Sequence, residues 1–354
     1  MAVLFEAVNL FGMTRDQVLH LVRENGAPDY RANQIAEWLY KRRAQSLNDM
    51  INLPRGLREK LAFQSTIRTV GPEDAGQSVD GTRKYIWPSF EGEIYESALI
   101  PEGKRLTLCV SSQAGCRIGC RFCLTARKGL RQNLSPAEIL SQFGNTPERE
   151  AITHLVYMGM GEPLDNIDAV LDSLRILTAS WGYGFSPRRV TVSTIGLLPQ
   201  FERLLDETQA NIAVSMHAAR REVRLPLVPS ENQHPIRAVT DLLQRRVKLG
   251  LPPFTGTGRR RLSFEITMLR GVNDSTVEAA AVRDLITGIP ARVNLIPWNP
   301  FPGAPFEPSS RKSILAYQSV LKRSGIMTTI RESRGQDIGA ACGLLAGRRE
   351  AAVG

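Results

Sequence analysis

Between Leu106 and Ile330 the chain alternates short apolar runs with helical stretches, and this alternation limits the possible folds more than any other feature. The runs Leu106–Val110, Thr153–Met158, Arg189–Ser193, Asn211–Ser215, Leu262–Met268, Arg292–Ile296 and Met327–Ile330 have strand length and strand composition. Helical stretches at Ser135–Gln142, Ile167–Leu177, Ile236–Leu249, Ser275–Ile286 and Ser309–Arg323 lie between most of them. Continuously apolar runs are how strands read when both faces of a parallel sheet are covered. Repetition over about 230 residues predicts an α/β barrel or a doubly wound sheet. Fewer than eight clear units are present, so an incomplete barrel is expected, with its chemistry at the C-terminal strand ends.

Residues 14–62 read differently. Thr14 is an N-cap signal ahead of Val18, Leu19, Leu21 and Val22. A second helix is expected over Arg31–Arg43, with Ile35, Trp38 and Leu39 on one side, and a third after Pro54. Thr66–Val70, Lys84–Trp87 and Ile94–Ile100 then read as strands separated by Asp80-Gly81 and Glu91-Gly92 turns. Four units follow: helical residues 1–64, a β-meander over 65–101, an α/β core over 102–347, and a tail over 348–354. The segment Pro252–Arg261 is expected to be an exposed loop.

Composition removes several classes. Among 354 residues no apolar run approaches the roughly 20 residues that span a bilayer. Met1–Met13 carries Glu6 and no basic residue, unlike a signal peptide. Five cysteines, an odd number in a long chain, do not describe a secreted disulfide scaffold, so a reducing cytoplasmic setting is expected. The net charge of +10 is uneven. Residues 1–95 balance 12 basic against 12 acidic side chains, whereas residues 104–137 hold seven basic and no acidic ones. Residues 245–270 hold seven against one, and residues 311–354 eight against three. Basic blocks on an otherwise acidic body suit a polyanion such as nucleic acid.

Cys109, Cys116, Cys120 and Cys123 fall within fifteen residues, and Cys342 stands apart. Cys116, Cys120 and Cys123 form C-x3-C-x2-C directly after the first core strand. A buried core would not contain Arg117, Gly119 and Arg121, and zinc would require a fourth ligand, for which no histidine is near. Three thiolates on an iron–sulfur cluster leave one iron open, and a loop at the mouth of a barrel can hold such a cluster. The Gly159-Met160-Gly161-Glu162-Pro163-Leu164 turn could open a dinucleotide fingerprint, but Leu164 occupies the third glycine position and Pro163 interrupts the loop. Ser193, Ser215 with Met216 and His217, and Asn299 also fall at strand ends. Taken singly these fit ordinary strand-end polar residues. Cys342, in the Gly-rich stretch Arg331–Gly347, could equally be a small buried apolar side chain, and Cys109 a core one.

C-x3-C-x2-C with Phe122 before its last cysteine is the motif of the radical S-adenosylmethionine (radical SAM) superfamily. TLCVSSQAGCRIGCRFCLTA, MGMGEPLDN, VTVSTIG, AVSMHA, NLIPWNPFPGAP and RGQDIGAACGLLAG, in that order, resemble the RlmN/Cfr family of radical SAM RNA methyltransferases over essentially the whole chain. YRANQIAEWLYKRR looks like that family's accessory helical domain. GEPL, PWNPFPGAP and RGQDI look more like the RlmN branch, which methylates carbon 2 of adenine. STIG and NGAPDYR lean toward the Cfr branch, which methylates carbon 8 of the same rRNA adenosine. A protein that binds RNA around a merely structural cluster is the rival of another class.

The resemblance implies a partial (β/α)6-type radical SAM barrel with an N-terminal helical RNA-binding domain and a small β extension. It implies a 4Fe-4S cluster on Cys116, Cys120 and Cys123 and two S-adenosylmethionine molecules per turnover. Gly161, Glu162, Ser193, Ser215, Met216, His217 and Asn299 would line the cofactor pocket, with Met216 replacing the more usual leucine. One S-adenosylmethionine would methylate Cys342, and a second would give a 5′-deoxyadenosyl radical that takes hydrogen from that methyl. The carbon would add to adenine, Glu96 or Cys109 would take the ring proton, and a transient Cys109–Cys342 disulfide would free the product. Implied substrates are 23S rRNA and a tRNA anticodon loop, with an electron donor such as flavodoxin, no membrane partner and a monomeric state.

Overall fold

The computed structural model describes residues 7–253 and 260–346. The tail at 348–354 and most of the expected Pro252–Arg261 loop lie outside them.

Three helices lead: α1 (Arg15–Glu24), α2 (Tyr30–Tyr40) and α3 (Arg55–Gln64). Thr14 caps α1 in a reciprocal box, its hydroxyl accepting the Gln17 N–H at 3.4 Å while the Gln17 amide oxygen accepts the Thr14 N–H at 2.7 Å. Val18, Leu21 and Val22 are buried on its inner face. Helix α2 stops at Tyr40, short of the expected Arg43, because Arg43 takes a left-handed φ of 58° that no helix continues through. Tyr40 ties this end of the helix down. Its hydroxyl donates to the Met13 carbonyl at 2.5 Å and accepts the Gly12 N–H at 3.2 Å, locking the start of the module to the end of α2.

The expected strand at Thr66–Val70 is corrected. A two-residue strand β2 (Ser65–Thr66) pairs in parallel with β1 (Val8–Asn9), closing the helical module on itself. The meander instead comprises β3 (Glu73–Gln77), β4 (Arg83–Pro88) and β5 (Ile94–Glu102), all antiparallel.

Strand β6 (Arg105–Val110) continues from the meander, and a small hairpin β7 (Gln113–Gly115) and β8 (Leu130–Asn133) brackets the short α4 (Leu124–Arg127). Then follow α5 (Pro136–Gly144), β9 (His154–Tyr157), α6 (Ile167–Thr178), β10 (Val190–Thr194), α7 (Leu198–Glu207), β11 (Asn211–Ser215) and α8 (Arg221–Leu227). The chain completes the core with α9 (Ile236–Lys248), β12 (Leu262–Met268), α10 (Thr276–Leu285), β13 (Arg292–Pro297), α11 (Arg311–Arg323) and β14 (Thr328–Ile330). Helices α7 and α8 have no counterpart in the sequence reading.

One ten-stranded sheet runs β14-β13-β12-β11-β10-β9-β6-β5-β4-β3. The seven strands β6 and β9–β14 are parallel neighbours in chain order. A doubly wound sheet reverses its strand order at a switch point; this one does not, so it curls as an open barrel. The meander extends that sheet, because β5 pairs antiparallel with β6 and sets Ala98 opposite Cys109.

The parallel strands are not apolar on both faces as expected. Val190, Val192, Ile212, Val214, Phe264, Ile266, Val293 and Leu295 lie in the main core under the helices. The alternate positions carry Thr191, Ser193, Ser215, Ser263, Glu265 and Asn294, several of them hydrogen-bonded to one another. One face is a packed core and the other a polar interior, which is the arrangement a ligand-binding barrel requires.

Candidate active site

The C-x3-C-x2-C loop leaves the β7–β8 hairpin. Gly115 has φ +79°, and a Cβ there would stand 1.9 Å from the Gly129 carbonyl oxygen, so only glycine admits the crossing that starts the loop. The Cys116 N–H donates to that same carbonyl at 3.0 Å, and the Arg121 N–H donates to Leu227 at the end of α8, also at 3.0 Å. Cys123 stands at the N-cap of α4. Cys116 is buried and Cys120 and Cys123 are half-buried. Burial first, and neighbouring negative groups after it, push the Cys116 thiol up to about 12 and the Cys120 thiol well above its ordinary range. Cys116 and Cys123 both act on Cys120, so the three sulfurs share one site. Among the described residues no three ligands gather tightly enough for a single ion. Three soft donors without a fourth fit a cluster, which spaces its thiolates farther apart than a mononuclear ion does. Ligation would displace their protons.

The turn after β9 packs against the start of this hairpin. Gly161 has φ +101°, and a Cβ on it would lie 2.6 Å from the Gln113 Cβ. The Gln113 amide oxygen accepts the Glu162 N–H at 2.8 Å. The Glu162 carboxylate is itself fully engaged: Oε1 accepts the Leu164 N–H at 3.0 Å and the Thr194 hydroxyl at 2.5 Å, and Oε2 accepts the Ile195 N–H at 3.0 Å. It therefore ties the ends of β9 and β10 together. Burial pushes this carboxyl up to about 7.

Ser193 and Ser215 face each other across β10 and β11 with their hydroxyls 3.4 Å apart. Met216 is buried, and both its N–H and that of His217 donate to the Glu265 carbonyl, at 3.0 and 3.1 Å. His217 holds a left-handed φ of 61°, and its ring lies 4.5 Å from that of Phe122 in the cysteine loop. Its Nδ1 accepts the Thr267 N–H at 3.2 Å, which puts the ring proton on Nε2. Burial first, then the nearby Arg224, lower its pKa to about 3, so the ring is neutral.

The C-terminal segment docks on the cysteine loop. The Leu124 N–H donates to the Gly343 carbonyl at 2.8 Å and the Thr125 hydroxyl to the Leu345 carbonyl at 2.6 Å. Asn299 donates to the Cys342 carbonyl at 3.0 Å and is held by Gln336 at 2.5 Å. Asp80 and Asp337 fasten the segment to the meander: Asp80 accepts the Gly335 N–H at 2.8 Å, and Asp337 accepts the Ser78 hydroxyl at 2.6 Å. Glu96 Oε2 accepts the Ala346 N–H at 3.0 Å. Cys109 is buried in a small apolar group with Ala98 and Ala340. Burial, and then Cys342, push its thiol up to about 12. Cys342 is exposed at the surface of this segment, although the protein on its inner side crowds the thiol. Burial first, then Cys123 and Glu265, push it up to about 11. The two are free thiols, and the segment that carries Cys342 packs Ala340 against Cys109 and Gly343 against Phe122 and Cys123.

Every predicted site residue thus falls on this one end of the barrel or on the segment docked there. Gln113, Arg224, Glu265 and Asn294 also belong to it and were not singled out by sequence reasoning. For Glu265 and Asn294 the available signal was the alternation of LSFEITM and RVNL.

An open parallel barrel, a three-cysteine loop at its mouth and a Gly-Glu-Pro turn beside it define a radical SAM enzyme, and residues 110–282 match the radical SAM superfamily model. Residues 8–67 match the ribosomal RNA large subunit methyltransferase N-terminal domain. The fold is similar to the crystal structure of a radical SAM methyltransferase from Sphaerobacter thermophilus, with TM-score 0.85 and 37% identity over 96% of this chain and 100% of that one. A probable dual-specificity RNA methyltransferase RlmN of Bacteroides fragilis is 40% identical over 95% of both chains. The dual-specificity RNA methyltransferase RlmN of Alcanivorax borkumensis is 39% identical over 97% of this chain and 91% of its own. The chain belongs to the RlmN family of radical SAM RNA methyltransferases.

Proposed function

We propose that this RNA methyltransferase adds a methyl group to carbon 2 of an adenosine in 23S rRNA and of one in a tRNA anticodon loop, with Cys342 as the methyl carrier. The observation that supports this reading is that the segment around Cys342 is docked on the cysteine loop by the Leu124–Gly343 and Asn299–Cys342 hydrogen bonds while its Ala340 packs against Cys109. A ring carbon with no lone pair cannot take a methyl group by simple displacement, so a carrier and a radical step are needed.

Cys116, Cys120 and Cys123 hold the 4Fe-4S cluster. When bound, cluster and S-adenosylmethionine supply the radical that abstracts hydrogen. Gly161, Glu162, Ser193, Ser215, Met216, His217 and Asn299 shape the cofactor pocket. Cys342 first loses its thiol proton and takes a methyl from one S-adenosylmethionine, releasing S-adenosylhomocysteine. A second S-adenosylmethionine is consumed when the methyl on Cys342 gives up a hydrogen atom and its carbon bonds to adenine. Glu96, or Cys109 as the alternative, takes the ring proton. The Cys109 thiolate sulfur would then bond to the Cys342 sulfur as the carbon–sulfur bond breaks; the freed carbon takes a proton to complete the methyl group, the unpaired electron returns to the external redox partner, and a reductant restores the two thiols for the next turnover.

Residues 1–64 act as an accessory RNA-binding domain, 65–101 as a β extension that supplies Glu96, and 102–347 as the radical core, with 348–354 as its tail. No helix of the described residues is long and apolar enough to cross a membrane. The protein works as a cytoplasmic monomer with an external donor such as flavodoxin.

The test is mass spectrometry of the Cys342 peptide after anaerobic incubation with methyl-deuterated S-adenosylmethionine and no reductant. A labelled methyl on Cys342 is expected. An unmodified Cys342 in protein that methylates RNA would overturn the carrier role.

A further inference from the structure

Arg224 is fully buried, and so is Glu231, to which it is paired. A buried ion pair gains little stability over apolar packing, because both charges must be stripped of water. Its presence calls for another explanation, and its neighbours supply one. The Arg224 guanidinium donates from Nε to the Met216 carbonyl at 2.7 Å, from Nη2 to the Ser215 carbonyl at 3.2 Å, and from Nη1 to Glu231. It therefore clamps the strand end that carries Ser215, Met216 and His217.

The helix that carries Arg224 also holds the cysteine loop. Arg224 lies one turn before Leu227, whose carbonyl accepts the N–H of Arg121, the residue next to Cys120. Pro229, just beyond the helix, borders Gly119 on the other side of Cys120. The strand end that Arg224 holds touches the loop as well, because the His217 ring lies 4.5 Å from that of Phe122, between Cys120 and Cys123. Glu231 faces away, toward α9, where it also accepts the Ile236 N–H at 2.9 Å. The pair is thus a dipole with its positive end on the strand end that packs against the cysteine loop and its negative end one side chain farther back.

We propose that the Arg224–Glu231 pair sets the reduction potential of the cluster while fixing the Ser215–His217 strand end. This rests on the reading of Cys116, Cys120 and Cys123 as cluster ligands. Three thiolates give the cluster a net negative charge, and taking up one electron from the external donor adds one more. A fixed cation in a dry interior stabilises the reduced form more than the oxidised one. Removing Arg224's charge should make reduction harder, and removing Glu231's charge should make it easier. A purely structural clamp predicts no such opposition of sign.

The experiment is a potentiometric titration of the reconstituted full chain with dithionite, followed by electron paramagnetic resonance of the reduced cluster. Relative to wild type, Arg224→Gln should shift the midpoint to more negative potential and Glu231→Gln to more positive potential, while Arg224→Lys stays near wild type. Midpoints that do not move, or that move in the same direction in both glutamine variants, would overturn the proposal. Should Arg224→Gln fail to fold, the Glu231→Gln and Arg224→Lys pair still decides it. Wild-type protein that takes up no iron and sulfide would fail at the cluster reading itself, a result distinct from either shift.

Discussion

Glu162 shows how much a single buried side chain can reveal. Three donors favour its charged form, yet burial outweighs them and pushes the carboxyl up to about 7. An unfolded glutamate titrates near about 4.3. Between these values the folded chain binds a proton that the unfolded chain has lost, so stability is greatest below the lower value and falls as pH rises through the upper one. Urea unfolding of wild type should weaken from pH 5 to pH 7 by up to about 1.4 kcal/mol per pH unit from this group, and Glu162→Gln should flatten that slope. A second prediction concerns Cys109. Cys109→Ala should still load methyl onto Cys342 but stall afterwards, leaving protein bound covalently to RNA as a slow band on a denaturing gel. At this scale the cysteines and the Gly-Glu-Pro turn were legible, because ligation and sulfur chemistry demand particular side chains at particular spacings. Arg224 and Gln113 were not, because an arginine or glutamine in a sequence carries no sign of the carbonyls or turns it will meet.

Elements were readable where their signals are local. The Thr14 cap, the five expected core helices and all seven core strands appear, with shifts of a residue or two at the ends. Of the expected strand at Thr66–Val70 only Thr66 is paired, with Asn9, because its partner strand Val8–Asn9, more than fifty residues upstream, is two residues long. The polar inner face of the barrel was visible as a period of two in VTVST, NIAVS and LSFEITM. Reading those runs as uniformly apolar hid Glu265 and Asn294. The loop after β9 gives a prediction at this scale. Gly161→Ala forces an alanine to φ +101° and against Gln113, at a cost of about 1–3 kcal/mol of local strain. S-adenosylmethionine affinity, measured by equilibrium dialysis, should fall at least tenfold while the thermal midpoint moves by only a few degrees.

The whole molecule joins a helical module, a meander and a barrel, the last two through one continuous sheet, and this joint was only half legible. Composition marked the change at residue 65 or so, but not that β5 would pair with β6 and bring Glu96 onto the face of Cys109. Register is a property of two strands together, and neither announces it alone. Of the basic residues at 104–137, Arg117, Arg121, Arg127, Lys128 and Arg131 lie in the cysteine loop and the hairpin that brackets it, whereas Lys104 and Arg105 lie at the start of β6, and phosphate contacts by the first group should dominate RNA affinity without selecting sequence. Arg131 is exposed on β8. Arg131→Ala should lower the salt slope of RNA binding by about 0.7 for each phosphate that the arginine neutralises, while the methylated base stays the same. Filter binding over a salt series checks the slope. The most direct test of the account is the position of the new methyl. Reconstituted protein, reductant and methyl-labelled S-adenosylmethionine are incubated with 23S rRNA fragments, and the digested nucleosides are fragmented in the mass spectrometer. The account predicts 2-methyladenosine; label at carbon 8, or turnover that leaves every adenosine unlabelled, would contradict it.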